Sequence, residues 1–356
     1  MPHLVVDISG HGFGHAGQVI PVVRDLLDAV PTLRVTLRTD VPGDVLARHL
    51  GRVLPVEPPP ADVGMIMTGP MDVDARASGA AYRELHADFP AVVEREAERL
   101  RALNADLLLA DVPYSSIAAA ARIGVSAVAL CSLNWLDAYR AYCADGPEAA
   151  RILSEIREAY AAARLFLQPR PHTPMDELSN TRSVPPICRL GTDRGGELRA
   201  RLRLPECTAL VAVGFGGLPG VAVAELPRLD GVAWVQANAP TERDDVFDLA
   251  VAGLDFADLA ASCDLVVTKS GYGTLCETLA AGTRLLMVSR PDWPEDSGMQ
   301  AWLAHHGTAA VIPRGDATPD RLARHVRDLL GRPRGTPVPP DGRAAAVTAL
   351  RGFLTR

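Results

Sequence analysis

Short apolar runs rich in β-branched residues alternate along the chain with longer alanine- and arginine-rich stretches of helical period. The runs at residues 4–8 (LVVDI), 34–39 (RVTLRT), 107–112 (LLLADV) and 126–130 (SAVAL) predict strands of a first parallel sheet. Those at 209–215 (ALVAVGF), 232–237 (VAWVQA), 264–268 (DLVVT) and 284–289 (RLLMVS) predict a second. Between them the rhythm stops near Arg164 and crosses a proline-rich segment. A second proline-rich stretch, 332–340, precedes a terminal helix from about 343 to 354. The expected layout is a first Rossmann-like domain at 1–167, a linker at 168–190, a second Rossmann-like domain at 191–338, and a C-terminal helix within 339–356 that packs back on the first domain. In such α/β sheets ligands bind beyond the carboxyl ends of the strands, so two facing sheets make a cleft lined by strand-to-helix loops.

Composition narrows the possible partners. The 356 residues are 48% hydrophobic and carry a formal charge of −7, which suits filled globular domains and lacks the basic stripe that nucleic acid requires. No apolar run reaches the length of a membrane span, and no cationic leader precedes the first strand, so a cytoplasmic location is expected. The six cysteines are scattered without a C-x-x-C pair, which fits buried reduced thiols better than a zinc site or a disulfide frame. Of the 36 basic side chains only Lys269 is a lysine.

The first strand runs into SGHGFGHAGQ, residues 9–18, ahead of an amphipathic helix whose first turn is expected to hold Pro21. Gly12, Gly14 and their glycine neighbours free the backbone for close approach to a ligand, with Phe13 and Gln18 in the same loop. His11 or His15 could remove a proton from a hydroxyl, and a helix N-terminus would favour the neutral imidazole. A structural glycine turn is the alternative.

The second informative loop is KSGYGTLCETLAAG, residues 269–282. Lys269, Ser270, Gly271, Tyr272, Gly273 and Thr274 form a glycine- and hydroxyl-rich helix entry, a natural cradle for phosphate. Glu277, one turn further, is either an acceptor for ribose hydroxyls or an ordinary first-turn acid. Glu295 and Asp296, in SRPDWPED, are either acceptors for sugar hydroxyls or solvated loop acids. A third loop, VGFGGLPG, brings Gly214, Phe215, Gly216 and Gly217 to the end of the second half's first strand; it completes neither a dinucleotide nor a kinase fingerprint, but with the Lys269 loop it gives two adjacent glycine turns expected to bind the diphosphate of a donor. Trp234, Gln236 and Phe256 are either a base pocket or core. Asp72 and Asp74 form a D-x-D that is expected to lie far from the phosphate loops and to be coincidental.

HGFGHA near the N-terminus, the segment 110–142, and D-x-x-x-x-K-x-G-Y-G-T-x-x-E in the second half together resemble the GT-B glycosyltransferases. The likeness spans most of the chain and is strongest to the glycosyltransferase-like N-terminal region of L-arabinokinases. It extends more loosely to the lipid II N-acetylglucosaminyltransferases and to the UDP-sugar hydrolase of pseudaminic acid synthesis. The resemblance implies two Rossmann-like domains, a nucleoside diphosphate sugar, with UDP expected, held by the second, and an acceptor held by the first. It maps the phosphate loop onto residues 270–274, ribose binding onto Glu277, donor-sugar contacts onto Glu295 and Asp296, and the N-terminal histidine onto His15. Asp111, at a strand end, either orients a histidine or caps the next helix. Relatives usually carry arginine where this chain has Gln18, and the sugar phosphorylation of L-arabinokinases is not expected to carry over.

The expected chemistry is inverting, metal-independent transfer of a sugar to an acceptor hydroxyl, with no cofactor beyond the donor. Hydrolysis of the donor, with the same histidine activating water, and a sugar-nucleotide-binding protein without turnover are the rivals. Lys269 is expected to anchor the phosphate turn or to face the diphosphate.

Overall fold

A computed structural model describes residues 1–11, 13–215, 226–239 and 242–354. It contains two wholly parallel sheets. The first is formed by β1 (His3–Asp7), β2 (Arg34–Arg38), β3 (Val56–Glu57), β4 (Leu107–Ala110), β5 (Ser126–Leu130), β6 (Leu165–Pro169) and β7 (Thr181–Val184), in the order β3-β2-β1-β4-β5-β6-β7. The second comprises β8 (Ala209–Gly214), β9 (Val232–Gln236), β10 (Val246–Asp248), β11 (Leu265–Lys269), β12 (Arg284–Val288) and β13 (Ala309–Ile312), ordered β10-β9-β8-β11-β12-β13. This is the expected α/β class, two Rossmann-like halves across a cleft.

Both faces of each sheet are covered, which is why the strands read as continuous apolar runs rather than alternating ones. Leu4, Val6, Leu107 and Leu109 enter one core with Val19, Val22 and Leu26 of the helix Phe13–Ala29. Val5, Leu108 and Ala110 face the opposite core with Tyr114, Trp135 and Tyr160. The terminal helix Gly342–Leu354 adds Ala346 and Leu350 to the first of these cores.

Three local expectations differ from the structure. β6 and β7 extend the first sheet to residue 184, into the segment read as a linker, because their pairing partners are supplied by β5 and by each other. The first helix begins at Phe13, so Pro21 is interior rather than in the first turn; the ring leaves the carbonyl of Gly17 without its usual donor. Cys207 is exposed, whereas the other five free cysteines are buried. Among the described residues no helix is long and apolar enough to cross a membrane.

In each sheet the strand order reverses direction at one point, between β1 and β4 and between β8 and β11. Those points are where open α/β sheets hold ligands. The loops after β1 and β4 carry His11 and Asp111, and His15 stands in the first turn of the helix Phe13–Ala29. Gly214 ends β8 and Lys269 ends β11.

Candidate active site

β1 and β4 are in register, Asp7 beside Ala110, so the residues just beyond them meet. His15 Nδ1 lies 3.0 Å from Asp111 Oδ2, with the imidazole almost buried and the carboxylate fully so. Asp111 also accepts from the backbone N–H of Ser9 at 3.2 Å and from that of Val112. It therefore holds a histidine and its own turn, and does not cap the next helix, Tyr114–Arg122, which follows Pro113 without a side-chain cap. With Nδ1 donating to Asp111, Nε2 is left as the basic nitrogen.

The charge state of His15 departs from expectation. Burial pushes the imidazole down, but the Asp111 charge and hydrogen bond outweigh it, together with the Cys131 thiol 3.9 Å away, and the pKa stands well above the ordinary value. The adjacent carboxylate wins over the helix N-terminus. His11 shows the opposite balance: burial, then His15, Lys269 and Arg290, push it down to about 3. It is the neutral member of the pair, its ring 6.3 Å from that of His15.

Two further side chains complete this corner. Trp135 packs edge-on to His11 at 5.3 Å between ring centroids and lies 5.6 Å from His15. Asp62 accepts from Trp135 Nε1 at 2.8 Å and from Ser9 Oγ at 2.5 Å. Burial pushes the Asp62 carboxyl up to about 6 despite those two donors. Gly64, at φ +63°, lets the backbone pass the His11 ring, where a Cβ would stand 2.9 Å from Nδ1. No local spacing points to Asp62.

Gln18 is a bridge. Its Oε1 accepts from Ser132 N at 2.9 Å and its Nε2 donates to Ser132 Oγ at 3.2 Å; that hydroxyl donates to Glu295 Oε1 across the cleft at 2.8 Å. Glu295 Oε2 accepts from Trp293 Nε1 at 2.9 Å. Asp296 accepts from Arg290 N and Ser289 Oγ, both at 2.8 Å, and from Gln300 Nε2 at 2.6 Å. Both acids are thus buried structural acceptors rather than solvated loop acids.

On the facing side, Gly271 precedes the helix Tyr272–Ala280 in extended conformation. Ser270 is buried, while Gly271, Gly273 and Thr274 keep part of their surface open. A Cβ on Gly273 would meet nothing within 4 Å. Tyr272 belongs elsewhere: it is buried with Leu275, Cys276 and Leu279, and its hydroxyl accepts from Ile187 N at 2.9 Å. Glu277 is buried with Oε1 3.4 Å from Arg189 Nε, and burial pushes its carboxyl up to about 7 against the pull of that arginine. Gly214 packs under Phe256, whose ring would stand 2.7 Å from an added Cβ. Phe215 is half-buried against the second-half core. Trp234 is core, with Nε1 donating to Pro227 O, and Gln236 is buried. Gly12, Gly216 and Gly217 lie outside the described residues, as does the Phe13 side chain.

Lys269 neither anchors its own turn nor stands free. Its Nζ donates to the carbonyl of Pro70, in the first half. Arg290 Nε donates to Met71 O at 3.2 Å, and Arg314 holds Asp72 with two bonds of 2.5 and 2.9 Å. The D-x-D segment therefore sits against the second half's strand ends, correcting its expected remoteness. It is closed into a tight loop by the Met67–Val73 bridge. Asp74 caps the helix Ala75–Leu85 through Ala77 N at 2.8 Å, so both carboxylates already have structural partners.

Residues 240–336 match the glycosyltransferase family 28 C-terminal domain. The chain is 27% identical over 317 residues to an L-arabinokinase of Arabidopsis thaliana, covering 87% of this chain and 30% of that protein. It is 32% identical over 151 residues to a UDP-N-acetylglucosamine–N-acetylmuramyl-(pentapeptide) pyrophosphoryl-undecaprenol N-acetylglucosamine transferase of Methylibium petroleiphilum, covering 38% and 37%. The match thus spans about a third of the length of each relative. The calicheamicin glycosyltransferase CalG4 superposes with a TM-score of 0.63 at 15% identity, over 100% of this chain and 99% of that one. The fold is GT-B, and the chain is a homologue of glycosyltransferases.

Proposed function

On a GT-B scaffold whose residues 240–336 match the family 28 C-terminal domain, we propose transfer of a sugar from a nucleoside diphosphate donor to an acceptor hydroxyl. The observation that carries this reading is the His15–Asp111 dyad at one switch point, facing the Lys269–Thr274 turn at the other. The amides opening the helix Tyr272–Ala280 receive the diphosphate, and Glu277 accepts the ribose hydroxyls after exchanging Arg189 for them. UDP is the nucleotide to test first, since the Methylibium relative's name specifies a UDP-sugar.

His15 Nε2 takes the acceptor proton as the acceptor oxygen attacks the anomeric carbon. The glycosidic bond to the diphosphate breaks in line, inverting the centre. Asp111 stabilises the imidazolium that forms. Charge on the leaving diphosphate is met by the turn amides at the helix N-terminus, so this reading needs no divalent cation.

A thermal-shift series over nucleoside diphosphates and their sugars tests the donor assignment, because a ligand of the native state raises its stability. No shift with any of them removes it. Product analysis then separates the rivals: UDP release that depends on an added acceptor supports transfer, and release in water alone, lost in His15→Ala, supports hydrolysis. Activity abolished by EDTA would overturn the metal-independent step.

A further inference from the structure

The cleft holds more positive charge than a phosphate turn uses. β11 and β12 are neighbours in register, Lys269 beside Val288, so Arg290 lies two residues beyond the partner of Lys269. Both cations reach the strap at residues 70–72, and what they meet there is neutral carbonyl oxygen. Arg290 is only 7% exposed, and its guanidinium lies 4.5 Å over the Trp293 ring. Among the described residues its buried Nη2 has no hydrogen-bond partner. The nearby acids are committed elsewhere: Asp296 to Arg290 N, Ser289 and Gln300, Glu295 to Ser132 and Trp293, and Asp72 to Arg314.

The Glu295, Asp296 and Asp72 charges act on the guanidinium without bonding it, but a buried N–H donor without an acceptor is costly, and a carboxylate is the partner whose geometry matches two parallel N–H groups. Here the Nε and Nη2 edge is half used, by one 3.2 Å bond to Met71 O. The diphosphate already has the amides of the helix entry. Arg290 stands on the adjacent strand end, and both it and Lys269 act electrostatically on His11, next to the dyad. Trp293 beneath Arg290 joins through Glu295 and Ser132 to Gln18, one helical turn beyond His15, which puts the vacant donors on the dyad's side of the cleft.

We propose that Arg290, supported by Lys269, is a specificity residue that binds a carboxylate on the donated sugar, so that the donor is a nucleoside diphosphate hexuronate. The Met71 carbonyl holds the guanidinium edge until the sugar carboxylate replaces it. This inference rests on the donor reading above.

Calorimetric titration of the full chain with UDP, UDP-glucose and UDP-glucuronate tests it, in the wild type and in Arg290→Gln. One charge-assisted pair corresponds to about tenfold or more in affinity. The expected result is that wild type prefers UDP-glucuronate over UDP-glucose by about that factor, and that Arg290→Gln loses the preference while binding UDP within about threefold of wild type. Lys269→Gln, expected to reduce the preference in the same direction, serves if Arg290→Gln does not fold. Equal binding of the two sugars by wild type overturns the proposal. So does an Arg290→Gln variant weakened equally for all three ligands, which would make Arg290 a diphosphate contact. In both cases UDP still binds and the donor reading survives; binding of no nucleotide at all sinks both.

Discussion

Asp111 grips His15 through Nδ1 at 3.0 Å from a fully buried position at the end of β4, and this contact sets both the tautomer and the charge of the proposed base. Because the imidazole pKa is raised, His15 remains protonated above the ordinary value of 6.5. Turnover should therefore rise with pH through the neutral range into the alkaline, following loss of the Nε2 proton. Asp111→Asn should move that limb to lower pH and lower the plateau. His15→Ala should cost about 10²- to 10⁴-fold in kcat, the usual range for a general base. A rate that is flat from pH 6 to 9, with chemistry shown to be rate-limiting, would exclude this role.

Asp62 tethers two groups that shape the same corner, Ser9 Oγ and Trp135 Nε1. Asp62→Ala should destabilise the fold by roughly 1–3 kcal/mol, because both donors lose their acceptor, and kcat should fall as Trp135 loosens against His11 and His15. Denaturant midpoints and steady-state kinetics measure the two effects. Asp62→Asn, which keeps one acceptor oxygen, should recover part of each.

Glu277 is pushed up to about 7. As an acceptor for ribose hydroxyls it acts best when ionised, so UDP affinity should strengthen from pH 6 to 8. Titrations across that interval should lose most of the trend in Glu277→Gln. For folding the sign is reversed: a raised carboxyl pKa contributes stability that is complete below about 4.5 and lost as pH climbs through about 7.

The first sheet carries a buried ionic cluster just behind the cleft, where Asp7 O accepts from Asp111 N and Glu96 accepts from Ala61 N. Arg38 donates to Asp7 at 2.6 and 2.5 Å and to Glu96 at 2.8 Å, with Arg38 and Asp7 fully buried. Arg38→Ala should cost about 3–5 kcal/mol, since it strands two buried carboxylates. Urea unfolding would show this, and a loss below about 1 kcal/mol would mean that the carboxylates find water or protons cheaply.

Strands buried on both faces mostly announce themselves, so β1, β2, β4, β5, β8, β9, β11 and β12 were legible from their apolar runs, whereas β6, buried throughout, was lost beside the proline-rich segment read as a linker. β3 and β10 were not: two and three residues long at sheet edges, they carry no periodic signal. The dyad was accessible because His15 and Asp111 follow strand ends, although the sign of the His15 shift depends on a 3.0 Å distance that no spacing encodes. Tyr272 could have been assigned to the core, because with Leu275, Cys276 and Leu279 it follows the i, i+3, i+4, i+7 pattern of a buried helix face. Arg290 occupies the same kind of strand-end position as Lys269 and could have been noticed. The seating of residues 70–72 against Lys269, Arg290 and Arg314 was out of reach, since it joins segments some 200 residues apart through tertiary packing.

Being the chain's one lysine gives Lys269 a practical consequence. Burial, and then the Arg290 charge, lower its ammonium to about 8, so a substantial fraction is free amine in mildly alkaline buffer, while the Pro70 carbonyl and the strap cover it. An amine-selective acylating reagent therefore has one side-chain target in the sequence, and its rate of attack measures how often the two halves part. Peptide mass spectrometry would separate that adduct from one on the terminal amine, turning a single residue into a clock for cleft opening.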